Sequence, residues 1–172
     1  MREDILPRKG RMTMKVLIIG GVAAGTKAAA KLKREDRSLE VTVITKDKDI
    51  SYAGCGLPYY VGGLIEIRDE LIVNTPQKYS GLTGVQVLTG KEAMALDAEK
   101  KEVTVRNVDT GDTEVCSYDR LVIAVGASPA KLPVKGTDLQ GVFTMRTPDD
   151  AEGIRKYIEE NQVRRAVVIG AG

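Results

Sequence analysis

Histidine is absent from all 172 residues. That removes the commonest general base and the commonest nitrogen ligand for a metal. Cysteine is nearly as scarce, with only Cys55 and Cys116. The first 13 residues are polar and charged, without the apolar centre of a secretory signal. Two thiols and no signal predict a reducing cytoplasm, where thiols do chemistry more often than stapling. No apolar run approaches the ~20 residues that a membrane span needs. Charge of one sign is lacking too: 26 basic against 24 acidic residues leave +2. Neither nucleic acid nor a membrane is therefore expected as a partner. What remains is 42% hydrophobic and 29% charged, and long enough for one domain with a real core.

The stretch from Lys15 to Lys46 carries the strongest local signal. Val16 to Ile19 is a short continuous apolar run, as a buried parallel strand requires. A glycine turn follows at once, then Ala-rich sequence of high helix propensity to about Asp36. Val41 to Thr45 closes a strand–helix–strand unit. Such a helix start points free N–H groups and partial positive charge at a pyrophosphate. Gly20 suits the tight turn and Gly25 the close packing of helix on strand, but the middle glycine position holds Val22. Thr45 and Lys46 stand where an acidic ribose ligand is expected. A Rossmann-like unit without a nucleotide remains open at this point.

Lys27, Lys31 and Arg34 fall along one helix face, either a solvated surface or a seat for a phosphorylated ligand. Ala24, Ala28 and Leu32 form a face that can pack on the sheet. Further on, Gly54 and Gly56 flank Cys55, and Pro58 fits the first turn of a new helix. A thiol at a helix N-terminus with lysines nearby is expected to carry more thiolate, and its small neighbours leave room for a bulky partner.

Five segments now stand in order: the Gly20 to Gly25 turn, Ser51-Tyr-Ala-Gly-Cys55-Gly-Leu-Pro-Tyr-Tyr60, Asn74-Thr-Pro-Gln-Lys78-Tyr79, Leu121-Val-Ile-Ala-Val-Gly-Ala-Ser-Pro129, and Ala166-Val-Val-Ile-Gly-Ala-Gly172. Together they resemble the flavin-containing pyridine nucleotide–disulfide oxidoreductases. The likeness is greatest to the single-cysteine branch of coenzyme A-disulfide reductases, NADH oxidases and NADH peroxidases. The resemblance implies an α/β, Rossmann-like FAD-binding domain with a parallel central sheet and an inserted β-meander. It implies FAD on Gly20, Val22, Ala23, Ala24 and Gly25, with the flavin ring beside the catalytic Cys55. Lys46, Val125 and Gly126 fall at flavin-side positions, and Ala93 at the adenine. Lys27, Lys31, Arg34 and Lys78 match residues that seat coenzyme A, with Ser51 and Gly54 near the sulfur. The family glutamate that binds the adenosine ribose is replaced by Thr45, with Asp47 or Asp49 as partial substitutes. The oxidases and peroxidases carry a histidine where Ala23 stands, which argues against peroxide chemistry here. With no second cysteine in the motif, oxidised Cys55 is a mixed disulfide or a sulfenic acid.

The remaining sequence reads as a short helix from Pro76 on a Thr75 cap, then strands at Val85–Leu88, Glu92–Leu96, 102–108 and Thr113–Ser117. Cys116 is read as packing. Strands are expected at Leu121–Val125 and Val142–Met145, and Thr147-Pro-Asp-Asp starts a helix running to about Glu160. Val167–Ile169 reads as the entry strand of a second dinucleotide site, for NAD(P)H. The expected division is residues 1–13 as a tag or flexible arm, 14–150 as the FAD-binding domain, and 151–172 as a linker helix and first strand of a truncated NAD(P)H domain. The chain is thus expected to be the N-terminal part of a longer, homodimeric enzyme, without NAD(P)H turnover by itself. That enzyme would act on a small-molecule disulfide, either coenzyme A disulfide or a polysulfide or persulfide. An NADH oxidase cycling a sulfenic acid and a non-catalytic nucleotide-binding module are the alternatives.

Overall fold

The computed structural model describes residues 13–130 and 132–170. Of the arm expected over residues 1–13 only Thr13 is among them, and the closing Ala171-Gly172 lies outside them. The chain divides into two interleaved compact units, one of residues up to 48 with 76–125, the other of 49–75 with 126 onward. The division expected between residues 150 and 151 falls inside a helix, Pro148–Glu160.

The first unit is built on a parallel sheet. Strands β1 (Lys15–Ile19) and β2 (Glu40–Ile44) are joined by helix α1 (Ala23–Glu35). β1 pairs in parallel with β2, Ile18 opposite Val43, as expected for this unit. In the second unit the chain forms helix α2 (Leu57–Val61). It then returns to the first with α3 (Pro76–Thr83) and β3 (Gln86–Leu88). A meander of β4 (Lys91–Asp97), β5 (Glu102–Asn107) and β6 (Thr113–Ser117) precedes β7 (Arg120–Ile123). The sheet order is β3-β2-β1-β7, with a separate antiparallel β4-β5-β6 sheet. The chain thus leaves β1 to one side through β2 and reaches its other side through β7. That reversal makes the carboxyl end of β1 a topological switch point, where open α/β sheets bind ligands.

Burial explains why β1 is apolar without alternation. Val16, Leu17, Ile18, Val41, Val43 and Ile44 are all buried. Leu17 and Ile44 cluster with Val103 and Val105 of the meander. Ile18 faces the other way, towards Gly25 of α1. A strand covered on both faces has no polar side to display.

The second unit packs Leu57, Tyr60, Leu71 and Ala151 together, joining α2 to helix α4 (Pro148–Glu160). Thr147 caps α4 in a reciprocal box: its hydroxyl accepts from the Asp150 N–H, and the Asp150 carboxylate accepts from the Thr147 N–H at 2.8 Å. Arg155 of α4 lies over the Tyr60 ring, 4.9 Å from its centre. Its guanidinium also donates to the carbonyls of Ile65 and Glu66 at 3.2 and 3.1 Å.

Several expectations need correction. Val142–Met145 forms no strand: the Val142 N–H turns back to the Leu139 carbonyl, and all four side chains are exposed. Val167–Ile169 is also unpaired and almost wholly exposed, because no described strand offers it a ladder. β7 ends at Ile123, although the Ala124 N–H still reaches the Ile19 carbonyl. The packed face of α1 is Gly25, Thr26 and Ala29, and Ala24 is exposed. The phase is set by Gly25, which lets the helix axis approach the sheet. No helix among the described residues is long and apolar enough to cross a membrane.

Candidate functional site

The glycine turn occupies the carboxyl end of β1. Gly20 has φ +111°, and a Cβ there would stand 2.2 Å from the Ala124 carbonyl oxygen. A Cβ on Gly25 would stand 1.8 Å from the Gly20 oxygen. Neither position admits a side chain without backbone movement. The same close approach sets Gly20 beside the Val125 amide. Val22 precedes α1 without a side-chain cap, the first turn holds no acid, and Ala23 and Ala24 are exposed. The first amides of a thirteen-residue helix are thereby left for a ligand. A dinucleotide pyrophosphate fits that arrangement.

The distal end of this half-site is closed by backbone. Thr45 is buried, its N–H donating to the Leu88 carbonyl and its own carbonyl accepting from Lys91. Lys46 beyond it is exposed, and Ala93 sits on β4 against the Leu17 cluster. Asp47 is half-buried. Asp49 belongs to the other unit and is engaged by Arg68, so it is not an available substitute for the missing acid.

Lys27, Lys31 and Arg34 are all exposed on α1. Lys31 pairs with Glu35, a surface contact of little energetic weight. Lys33 does a different job, donating to the Arg37 and Leu39 carbonyls beyond the helix end. Helix α3 is fixed against α1 at two points. The buried Tyr79 hydroxyl donates to the Thr26 carbonyl, and Gly84 receives the Lys33 stem. Burial pushes the Tyr79 hydroxyl up, opposed by the Ala30 amide and the Arg34 charge. Lys78, next to that anchor, is exposed. The structure therefore gathers the four basic residues on two adjoining helices.

In the second unit Cys55 lies in a single 3-10 turn, Gly54–Gly56, and is exposed. The α2 helix that follows is only five residues long, so the helix field expected at the sulfur is that of barely one turn. Ser51 adopts φ +49°, an uncommon conformation for a residue with a side chain. Its carbonyl accepts from Val73, while Tyr52 bridges Ile72 and the Ala53 N–H donates to Leu71. Gly56 abuts Leu71, where a Cβ would come within 3.0 Å. Gly126 has φ +71° and faces Arg146, whose guanidinium donates to Ser128.

Sequence reasoning missed Arg68. Its guanidinium meets Asp49 and Asp149, each at 2.5 Å. Its Nε lies 3.2 Å from Glu152, a pairing distance without hydrogen-bond alignment. Burial opposes the charge, but the hydrogen bonds and charges of Asp49 and Asp149 outweigh it and raise the pKa. No local pattern marks this residue, since its partners stand 19 and 81 positions away. Cys116 packs against the Leu17 cluster, and burial, then Glu114, pushes its thiol up.

A family model described as pyridine nucleotide-disulphide oxidoreductase matches residues 14–172. The chain belongs to this family. Within it, an NADH oxidase of Methanocaldococcus jannaschii is 39% identical over 160 residues, 92% of this chain and 35% of the relative. A coenzyme A disulfide reductase of Staphylococcus haemolyticus is 34% identical over 158 residues, again 92% and 35%. Among solved structures, an NAD-dependent persulfide reductase from A. fulgidus is 40% identical with a TM-score of 0.80, across 86% of this chain and 27% of that one. The chain thus spans 35% of the length of the curated relatives it matches.

Proposed function

We propose that this chain is the FAD-binding part of an NAD(P)H-dependent disulfide reductase with Cys55 as its redox thiol. Coenzyme A disulfide is the substrate that best suits it, with polysulfide or persulfide as the nearest variant. The observation that carries this reading is the exposed Cys55 turn between two glycines, in a unit that holds no second described cysteine. The proposed domain occupies residues 14–150, with 151–172 leading towards an NAD(P)H domain. The whole enzyme is proposed to be cytoplasmic and homodimeric.

The uncapped amides from Val22 to Gly25 would hold the FAD pyrophosphate, with Gly20, Lys46, Ala93, Val125 and Gly126 along the rest of the cofactor. Bound FAD supplies the two-electron relay from NAD(P)H that returns a Cys55 mixed disulfide to thiolate and free thiol. Lys27, Lys31, Arg34 and Lys78 supply positive charge for the phosphates of coenzyme A. Ser51 and Gly54 border the sulfur. The Cys55 thiolate attacks one sulfur of the disulfide, the S–S bond breaks, and one coenzyme A thiolate leaves. That exchange conserves electrons and forms Cys55–S–S–coenzyme A.

The 39% identity to a named NADH oxidase favours a second reading, in which Cys55 cycles through a sulfenic acid. Ala23 counts against it, since no histidine stands in the glycine turn. Intact mass separates the two: a coenzyme A adduct on Cys55 supports the first reading and a single added oxygen the second. In the whole enzyme, Cys55→Ser is expected to abolish NAD(P)H-dependent reduction of coenzyme A disulfide; activity retained in that variant overturns the proposal.

A further inference from the structure

Residues 49–73 form a loop that carries Cys55 near its start, and three of the contacts that close its neck bear on the cysteine turn. Ser51 and Val73 share a backbone hydrogen bond, Tyr52 bridges Ile72, and Asp49 is paired with Arg68. The first two are ordinary backbone contacts. The third differs, because both side chains are only 18% exposed. Arg68 begins the 3-10 turn Arg68–Leu71, and Leu71, fully buried, is the surface against which Gly56 rests. The same guanidinium turns outward to Asp149 on the first turn of α4 and to Glu152 just beyond it. One cation thus ties the loop's entry, the support behind its cysteine turn and the start of a neighbouring helix.

That arrangement exceeds what packing alone requires. Leu57, Tyr60, Leu71 and Ala151 already join the loop to α4. The Asp49 and Asp149 carboxylates both accept from Arg68 Nη2, and such charge-assisted hydrogen bonds fix direction as well as distance, which a hydrophobic contact does not. The loop it holds contains Ser51 in a left-handed conformation. Such backbone persists only where its surroundings over-determine it.

We propose that Arg68 is a positioning residue for Cys55, holding the 49–73 loop in the geometry that lets its sulfur exchange with a disulfide. The proposal rests on the reading of Cys55 as the redox thiol. Arg68 touches no reacting atom. It acts through Asp49 and Leu71 on the turn that carries the sulfur. Loss of the clamp leaves the thiol accessible and misdirected.

The test compares two reagents on the full chain. Coenzyme A disulfide requires an aligned approach along the S–S axis, whereas iodoacetamide requires access alone. Arg68→Met leaves Asp49 without its cation, so the double variant Asp49→Asn/Arg68→Met is made beside it. In both, coenzyme A capture at Cys55, read by mass, is expected to fall about tenfold or more, with iodoacetamide labelling of Cys55 changed less than about twofold. Arg68→Lys keeps a charge for Asp49 but not the planar Nη2 shared by Asp49 and Asp149, and is expected to recover only part of the exchange rate. Cys116, in the other unit, serves as the internal control: its labelling stays constant if the chain remains folded. Exchange at the wild-type rate in the double variant overturns the proposal. A fall in exchange accompanied by faster Cys116 labelling also overturns it, by showing general unfolding. Failure of the wild-type chain to form any Cys55 adduct removes instead the reading on which the proposal stands.

Discussion

The turn at Gly20–Gly25 is held by backbone sterics, and the turn at Cys55 by charged side chains from distant sequence. In the first, two missing Cβ atoms and a strand ladder leave the chain one path. In the second, Arg68 and Arg155 gather carboxylates and carbonyls from three separate segments. A backbone-built cradle suits a cofactor that stays, because it is rigid without maintenance by side chains. A turn clamped by charges can carry a strained residue such as Ser51 and present a reactive group at its tip.

The strongest way to break this comparison is at the cradle. Gly25→Ala forces a methyl group to 1.8 Å from the Gly20 oxygen. It is expected to destabilise the first unit by about 4 kcal/mol or more, seen as a fall in the urea midpoint. The clamp is next. Arg155→Ala removes the donors to Ile65 and Glu66 and the cation over Tyr60. A loss of about 2 kcal/mol is expected, with faster amide exchange over residues 57–66 and none of that change in α1. Thr147→Ala sharpens the contrast within the second unit, costing about 1 kcal/mol through the lost cap, measured by thermal unfolding.

A smaller effect, and opposite in kind, is expected on the basic face. Lys31→Ala breaks only an exposed pair with Glu35 and should change stability by less than about 0.5 kcal/mol. Its effect should appear instead as weaker coenzyme A capture that is sensitive to salt. The Tyr79 contribution differs in depending on pH. Its folded pKa is raised mainly by burial, so the folded state holds the proton more tightly than the unfolded one. That stability is full below the ordinary tyrosine range and is lost as pH rises through the folded value. Tyr79→Phe should remove this alkaline loss from a stability–pH series while lowering the rest of the curve evenly by about 1 kcal/mol, for the lost bond to the Thr26 carbonyl.

The same contrast explains what the sequence could and could not disclose. The strand–turn–helix unit was legible because Val16–Ile19, Gly20, Gly25 and the following alanines each state a local preference, and all agree with the fold. The meander was legible from alternation, and α4 from Thr147-Pro-Asp-Asp. Arg68 was not, because its place in a polar run looks like any solvated arginine until residues 49 and 149 are brought to it. Val142–Met145 and Val167–Ile169 failed for a related reason. Apolar β-branched residues give a strand its propensity but not its neighbour, and neither run has a described partner strand. The helix expected at Pro58 was correctly located but ends at Val61, where the two glycines at 62 and 63 follow. The fold was therefore most legible where backbone alone makes the turn.

The most direct measurement is the competition of two disulfides for Cys55 in the wild-type chain and in the triple variant Lys27→Ala/Lys31→Ala/Arg34→Ala. Coenzyme A disulfide carries phosphates; hydroxyethyl disulfide carries none. The account predicts that the wild-type sulfur prefers coenzyme A disulfide by about tenfold or more at low salt, and that the triple variant loses that preference while still reacting with hydroxyethyl disulfide. Equal reaction with both disulfides in the wild-type chain, or a preference that survives removal of all three charges, would contradict it.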